Sequence, residues 1–295
     1  MLQKADGFAD TTHNVLFKGS ILIDDSMRNG AEYNGSELKF GVNVNNDRYI
    51  LKQQKRDWLN VQSELIASRF IKHLGGSVHE VLPGIYQGRQ VVLCRDFTTT
   101  DCSLKTLASL NSSSIDTDDS RHEYYIEDVT YELSKIRNLD VIQAMYQFYQ
   151  MFIYDAILGN SDRHKGNFGI LSYNDGSHEF APVFDNGACL FPRNHEYSIN
   201  DAWMCDRIFT FPNSKIMFCS RPLRERSSYY QVIKDGRIPK NVLDWAQGLN
   251  VVQAMHNTCN DFGIAEKQAS YYKTIVHYRH ECIIKQNDFR WVGML

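Results

Sequence analysis

Gly159-Asn160-Ser161-Asp162-Arg163-His164-Lys165-Gly166-Asn167-Phe168-Gly169, followed by Ala181-Pro182-Val183-Phe184-Asp185-Asn186-Gly187, is the part of the chain on which its reading turns. Asp162 and Asn167 have four residues between them. An apolar run over 168–171, a polar Asn174-Asp175-Gly176 turn and a second apolar run ending at Phe184 then carry Asp185 back towards the loop. The pattern predicts a hairpin that returns a carboxylate to a polar loop. An Asp and an Asn at this spacing are common, and Asn-Asp-Gly alone is a turn. In this order, between apolar strands, they form a chemical set.

Phosphoryl transfer needs one carboxylate to orient the attacking hydroxyl and take its proton, and oxygen ligands that hold Mg²⁺ against the β- and γ-phosphates of ATP. Asp162 is the candidate base, with Asn167 and Asp185 the candidate metal ligands. In protein kinases an Asp and an Asn so spaced share one catalytic loop, the Asp facing substrate and the Asn facing metal.

At these residues the chain resembles the HipA family of bacterial serine/threonine kinases, including its compact CtkA-like members. The likeness rests on Ile157-Leu158-Gly159-Asn160 entering Asp162-x-His164-x-x-Asn167, and on Pro182-x-Phe184-Asp185. Phosphoinositide kinases also use an Asp-Arg-His-x-x-Asn loop. Their metal-binding Asp follows a His two residues earlier, where this chain has Val183.

The resemblance implies an α+β, bilobal protein-kinase-like fold. Residues 1–97 would form a small β-rich lobe with one helix, and 98–295 a larger, mainly helical lobe holding the catalytic loop 159–169 and the metal-binding segment 181–187. It also implies a protein serine/threonine kinase dependent on ATP and Mg²⁺, with autophosphorylation. Such a protein would be either a toxin with an antitoxin partner, acting on an aminoacyl-tRNA synthetase, or an effector acting on a host protein. A phosphoinositide or small-molecule kinase, in which His164 becomes a candidate base, and a non-catalytic nucleotide-binding module are the rival readings.

The N-terminal third alternates short apolar runs with Gly- and Asn-containing turns. Strands are expected at 15–17, 21–23, 38–44 and 48–52 in a small antiparallel sheet, then a helix over 58–74 and strands at 85–86 and 90–94. Lys52 ends the fourth strand and Glu64 lies in the helix. They are the candidates for the cation that contacts the ATP phosphates and the carboxylate that orients it. Residues 30–39 are the candidate phosphate-covering loop, and likeness to the family's Gly-x-x-x-Lys loop singles out Gly35, Ser36 and Lys39. The family type carries an autophosphorylated serine shortly before that glycine. Here Glu32 and Asn34 stand there, and Ser36 is the nearby serine.

Residues 91–97 are expected to be the hinge that meets adenine, and 109–120, rich in Ser, Asn and Asp, an exposed loop. Ile142, Met145, Tyr149, Phe152, Ile153, Ala156 and Ile157 recur at helical spacing and predict a buried central helix over 140–158. Residues 187–230 take the place of an activation segment, within which 221–226 reads as a solvated charged run. Residues 239–285 read as helical.

Composition excludes several classes. A net charge of −3 offers no basic field for DNA or RNA, so no direct nucleic-acid contact is expected. The seven cysteines, at 94, 102, 189, 205, 219, 259 and 282, form no C-x-x-C pair and point to reduced thiols, not a disulfide scaffold or zinc site. Residues 1–14 lack a signal-peptide core, and no run approaches the ~20 apolar residues that span a bilayer. The expectation is a cytoplasmic protein without membrane contact; export by a dedicated machine would leave no trace in these residues.

Overall fold

The computed structural model describes residues 17–33, 39–55, 58–111, 124–193, 212–218 and 227–286. Asn45 and Asn46 both take positive φ (50° and 70°), the conformation of a two-residue hairpin turn whose twist suits its strands. That turn joins β3 (Lys39–Val44) to β4 (Asp47–Gln53) in antiparallel register, with Lys39 opposite Lys52. Gln87 and Gly88 (φ 50° and 73°) do the same between β5 (Val81–Tyr86) and β6 (Arg89–Arg95).

With β1 (Ile21–Ile23) and β2 (Arg28–Glu32), these strands form one six-stranded sheet in the order β1-β5-β6-β4-β3-β2. The expected all-antiparallel sheet needs one correction, because β1 pairs with β5 in parallel. Sequence neighbours β1 and β2 sit at opposite edges of the curled sheet. Its concave face is filled by Ile23, Phe40, Leu51 and Tyr86, with the Phe40 and Tyr86 rings 5.3 Å apart although their strands are not adjacent.

Three local expectations differ. Gly30, Ala31 and Glu32 belong to β2, not to a loop. Residues 91–95 are the C-terminal part of β6, paired with β4 throughout and with β5 as far as Cys94, so the connection to the next sheet begins at Asp96. Phe17 is in no strand; its ring packs edge-on against Phe262. Residues 15, 16 and 38, part of the expected strands, lie outside the described residues, as do most of the expected 109–120 loop and all of 221–226.

Helix α1 (Asn60–His73) follows the hairpin and is buried along most of its length. The short helices α2 (Leu107–Asn111) and α3 (Ile126–Ser134) precede α4 (Val141–Leu158), and the apolar side chains of α1 join one large core with α4 and the C-terminal helices, including Val251–Phe262 and Glu266–Arg279. Asp140 caps α4 by accepting from the Gln143 N–H at 3.0 Å. Phe148, Phe152, Ile153 and Ile157 are buried as the periodicity requires. Ile142 is not: at the second helical position it projects beyond the packed elements and is 85% exposed.

A second sheet lies beside α4, ordered β10-β9-β7, with β7 Cys102–Thr106, β9 Gly169–Tyr173 and β10 His178–Phe180, while the two-residue β8 (Tyr124–Tyr125) pairs apart with Ile216–Met217. β9 and β10 are the predicted hairpin, turned at Gly176 (φ 83°). No helix among the described residues is long and apolar enough to cross a membrane.

Candidate active site

The polar loop begins where α4 must stop. Gly159 caps the helix with φ 66°, and a Cβ there would collide with the Arg279 guanidinium. The next residue, Asn160, is fully buried. It donates to Asp155 Oδ1 at 2.9 Å and accepts the Asp162 N–H at 2.9 Å. The loop then folds on itself: Asn167 Nδ2 donates to the Asp162 carbonyl at 2.9 Å. This bond fixes the Asn167 amide and assigns its oxygen, the atom a hard cation takes, to the other arm. The Asp162 side chain is half exposed, and its carboxylate pairs with the Lys215 ammonium.

Arg163, unlike its neighbour, points inward and is 2% exposed. Its guanidinium makes a two-pronged pair with Asp155 (2.9 and 3.1 Å) and donates to the Asn167 carbonyl (2.8 Å), the Phe184 carbonyl and Asn186 Oδ1 (2.7 Å). One buried cation thus binds the loop, the end of α4 and the returning segment. Burial opposes its charge, yet the Asp155 carboxylate raises its pKa further.

Asp185 arrives in a left-handed conformation (φ 58°) with its carboxylate 3.0 Å from Lys52 Nζ. Burial would raise the Asp185 carboxyl, but the Lys52 and Lys39 ammonium groups and Arg163 hold it well below the usual range. Lys52 Nζ also lies 3.1 Å from Glu64 Oε2. Glu64 Oε1 accepts the Asn186 N–H at 2.8 Å and faces His79 Nε2 at 3.0 Å.

Six of the eight candidate residues, Lys39, Lys52, Glu64, Asp162, Asn167 and Asp185, line one cleft of about 250 Å³ between the curled sheet and the loop. Gly35 and Ser36 lie outside the described residues. Asp185, beside the Lys52 ammonium, and Asn167 across the same cleft offer hard oxygen atoms, a donor set that would hold Mg²⁺. His164 also lines the cleft, and burial lowers its pKa despite the nearby Asp162 carboxylate.

The residues that build the frame, Asp155, Arg163, His79, Asn186 and Lys215, were not singled out from the sequence. Asp155 left a signal, as a carboxylate within the apolar helical run Met151-Phe152-Ile153-Tyr154-Asp155-Ala156-Ile157-Leu158, where burial demands a partner. Among the described residues, Glu64, His79 and Cys94 are a buried group with metal-ligand chemistry, mutually within 4.8 Å. Both Glu64 oxygens are already committed to Lys52, Asn186 and His79, so the group is a hydrogen-bonded frame.

A family model described as the HipA-like C-terminal domain matches residues 31–222. The serine/threonine-protein kinase CtkA of Helicobacter pylori (strain J99) is 31% identical over 190 residues, covering 60% of this chain and 58% of that protein. The chain therefore spans somewhat over half the length of that curated relative. Among solved structures, the proinflammatory kinase CtkA of Helicobacter pylori superposes with a TM-score of 0.76 at 24% identity, covering 90% of this chain and 95% of the other. HipA, in the Shewanella oneidensis MR-1 toxin–antitoxin complex with HipB and operator DNA, gives 0.59 at 18% identity, covering 89% and 67%. These two likenesses establish the mixed α+β kinase-like fold.

Proposed function

The chain belongs to the HipA-like C-terminal domain family, and from that premise we propose that it is a protein serine/threonine kinase dependent on ATP and Mg²⁺. The observation that carries the proposal is the meeting, around one cleft, of Asp162 and Asn167 from the loop, Asp185 from the segment after the hairpin, and the Lys52–Glu64 pair from the sheet and α1. A binding module has no use for the half-exposed carboxylate of Asp162.

Asn167 Oδ1 and the Asp185 carboxylate would hold Mg²⁺, which when bound neutralises charge on the transferring phosphoryl group. Lys52 is already anchored by Glu64, so it can give up Asp185 to the cation and take the ATP phosphates without leaving its place. Asp162 orients the substrate hydroxyl and accepts its proton. Lys215 is a second cation of the site, paired with the Asp162 carboxylate.

The substrate we propose is a protein hydroxyl, with autophosphorylation as the first measurable reaction. An aminoacyl-tRNA synthetase and a host protein are the two substrate classes to test. HipB is the partner named with the Shewanella relative; an antitoxin is the corresponding partner to look for here, in the cytoplasm. The test is intact mass after incubation with ATP and Mg²⁺, beside Asp162→Asn. Added mass in phosphate units that the variant lacks supports the proposal. Equal labelling of both proteins removes Asp162 from the base role, and label transfer to lipid in place of protein moves the assignment to a lipid kinase.

A further inference from the structure

Asn186, next to the metal-ligand candidate, is fully buried and spends its polar groups in three directions. Its N–H donates to Glu64 Oε1 (2.8 Å), its Nδ2 to Ser68 Oγ (2.9 Å), and its Oδ1 accepts from Arg163 (2.7 Å). His79 meets the same two α1 residues, with Nε2 3.0 Å from Glu64 Oε1 and 3.2 Å from Ser68 Oγ. A carboxylate can only accept, so Nε2 carries the proton and the tautomer is fixed. The mounting of His79 is equally specific. Its backbone N–H donates to the Val183 carbonyl (3.0 Å), and the Val183 N–H donates to the Ser77 carbonyl (2.9 Å). His79 is thus mounted, through its backbone, on the segment that leads from β10 to Asp185.

We infer that His79 and Asn186 are positioning residues that act through Glu64, an inference that rests on the kinase reading above. They hold Glu64 Oε1 from the metal-binding segment while Oε2 holds Lys52. The carboxylate is fixed at both oxygens, and Lys52 is aimed before nucleotide arrives. A Glu held only by Lys52 could rotate about its last torsion and carry the ammonium with it. Outer partners of this kind orient the groups that touch ligand, and losing them commonly costs tenfold or more in affinity or activity. The same bridge ties Lys52 to Arg163 and Asp155 through residues 7% exposed or less, so both halves of the site share one frame.

The experiment compares His79→Gln, whose amide can supply a donor near the Nε2 position, with His79→Leu, which supplies none. Each is made alone and with Glu64→Gln. ATP affinity in the presence of Mg²⁺ is titrated by fluorescence, phosphate transfer is split into KM and kcat, and melting confirms that each variant is folded. His79→Leu should weaken ATP binding by about tenfold, and His79→Gln should recover most of it. In the Glu64→Gln background, His79→Leu should add no more than about twofold. A folded His79→Leu that binds and transfers like wild type overturns the inference, as does an undiminished loss in the Glu64→Gln background. If His79→Leu does not fold, Ser68→Ala takes its place, with weakened ATP binding expected and unchanged binding overturning it. Absence of ATP binding by wild type would defeat the kinase reading and the inference with it; wild-type binding with unaffected variants defeats the inference alone.

Discussion

Lys52 and Asp185, 133 positions apart in sequence, bring their charged ends to 3.0 Å, so that one ammonium bridges the small sheet to the segment that follows the β9–β10 hairpin. Asp185→Asn keeps the shape and an oxygen for Lys52 but removes the charge that a divalent cation requires. Phosphate transfer should fall by on the order of 10²-fold or more. Mg²⁺ should strengthen ATP binding by wild type and leave the variant's affinity unchanged. Equal Mg²⁺ enhancement in both proteins would take Asp185 out of the metal site.

The Asp155–Arg163 pair is structural and buried, with side chains 2% and 1% exposed. Asp155→Ala leaves the guanidinium without its charge partner and should cost roughly 3–5 kcal/mol of stability. The exposed Lys240–Asp244 pair is its natural control: Asp244→Ala should cost only about 0.5 kcal/mol. Urea denaturation of both variants checks the difference, and comparable losses would mean that Arg163 finds other partners.

Much of this arrangement was legible because it is local. The β9–β10 hairpin is written as two apolar runs around Asn174-Asp175-Gly176, and α4 as a helical recurrence that ends at a glycine. Lys52 and Glu64 could be named because a strand followed by a helix places them in order. What escaped was non-local. The parallel partner of β1 arrives some sixty residues later, and no pattern within Ile21–Ile23 announces it. Arg163 was hidden because an arginine between Asp162 and His164 looks solvated until the Asp155 carboxylate is seen beneath it. His79 and Asn186 carry no periodic signal, since their meaning lies in hydrogen bonds made across the fold.

Glu64 makes stability depend on acid in a stated direction. Burial alone would raise its carboxyl, but the Lys52 ammonium and the His79 hydrogen bond bring it down to about 2 from the ordinary 4.5. A depressed carboxyl contributes stability that is fully present above its unfolded value and is lost as pH falls through the folded one. The difference corresponds to a ceiling of about 3 kcal/mol. Wild type should lose stability between pH 4.5 and 2 more steeply than Glu64→Gln, as followed by thermal melts across that range. Parallel curves would show that Glu64 is not held as a charged group.

Gly159 and Gly236 separate backbone strain from collision. Both have positive φ (66° and 67°), but a Cβ at 236 meets nothing within 4 Å, whereas one at 159 strikes the Arg279 guanidinium. Each alanine substitution forces an L-residue into the left-handed region, at about 1–2 kcal/mol. Gly236→Ala should cost that and no more. Gly159→Ala must also displace Arg279, a fully buried side chain stacked over Phe191 at 4.7 Å, and overpacking of a dense core adds roughly 1–3 kcal/mol. Because Gly159 sets the exit of α4 into the loop that presents Asp162, the displacement should reach catalysis as well, lowering transfer in the folded variant while Gly236→Ala stays at the wild-type rate. Equal melting temperatures for the two variants would show that Arg279 yields freely and that the close approach does not hold the loop.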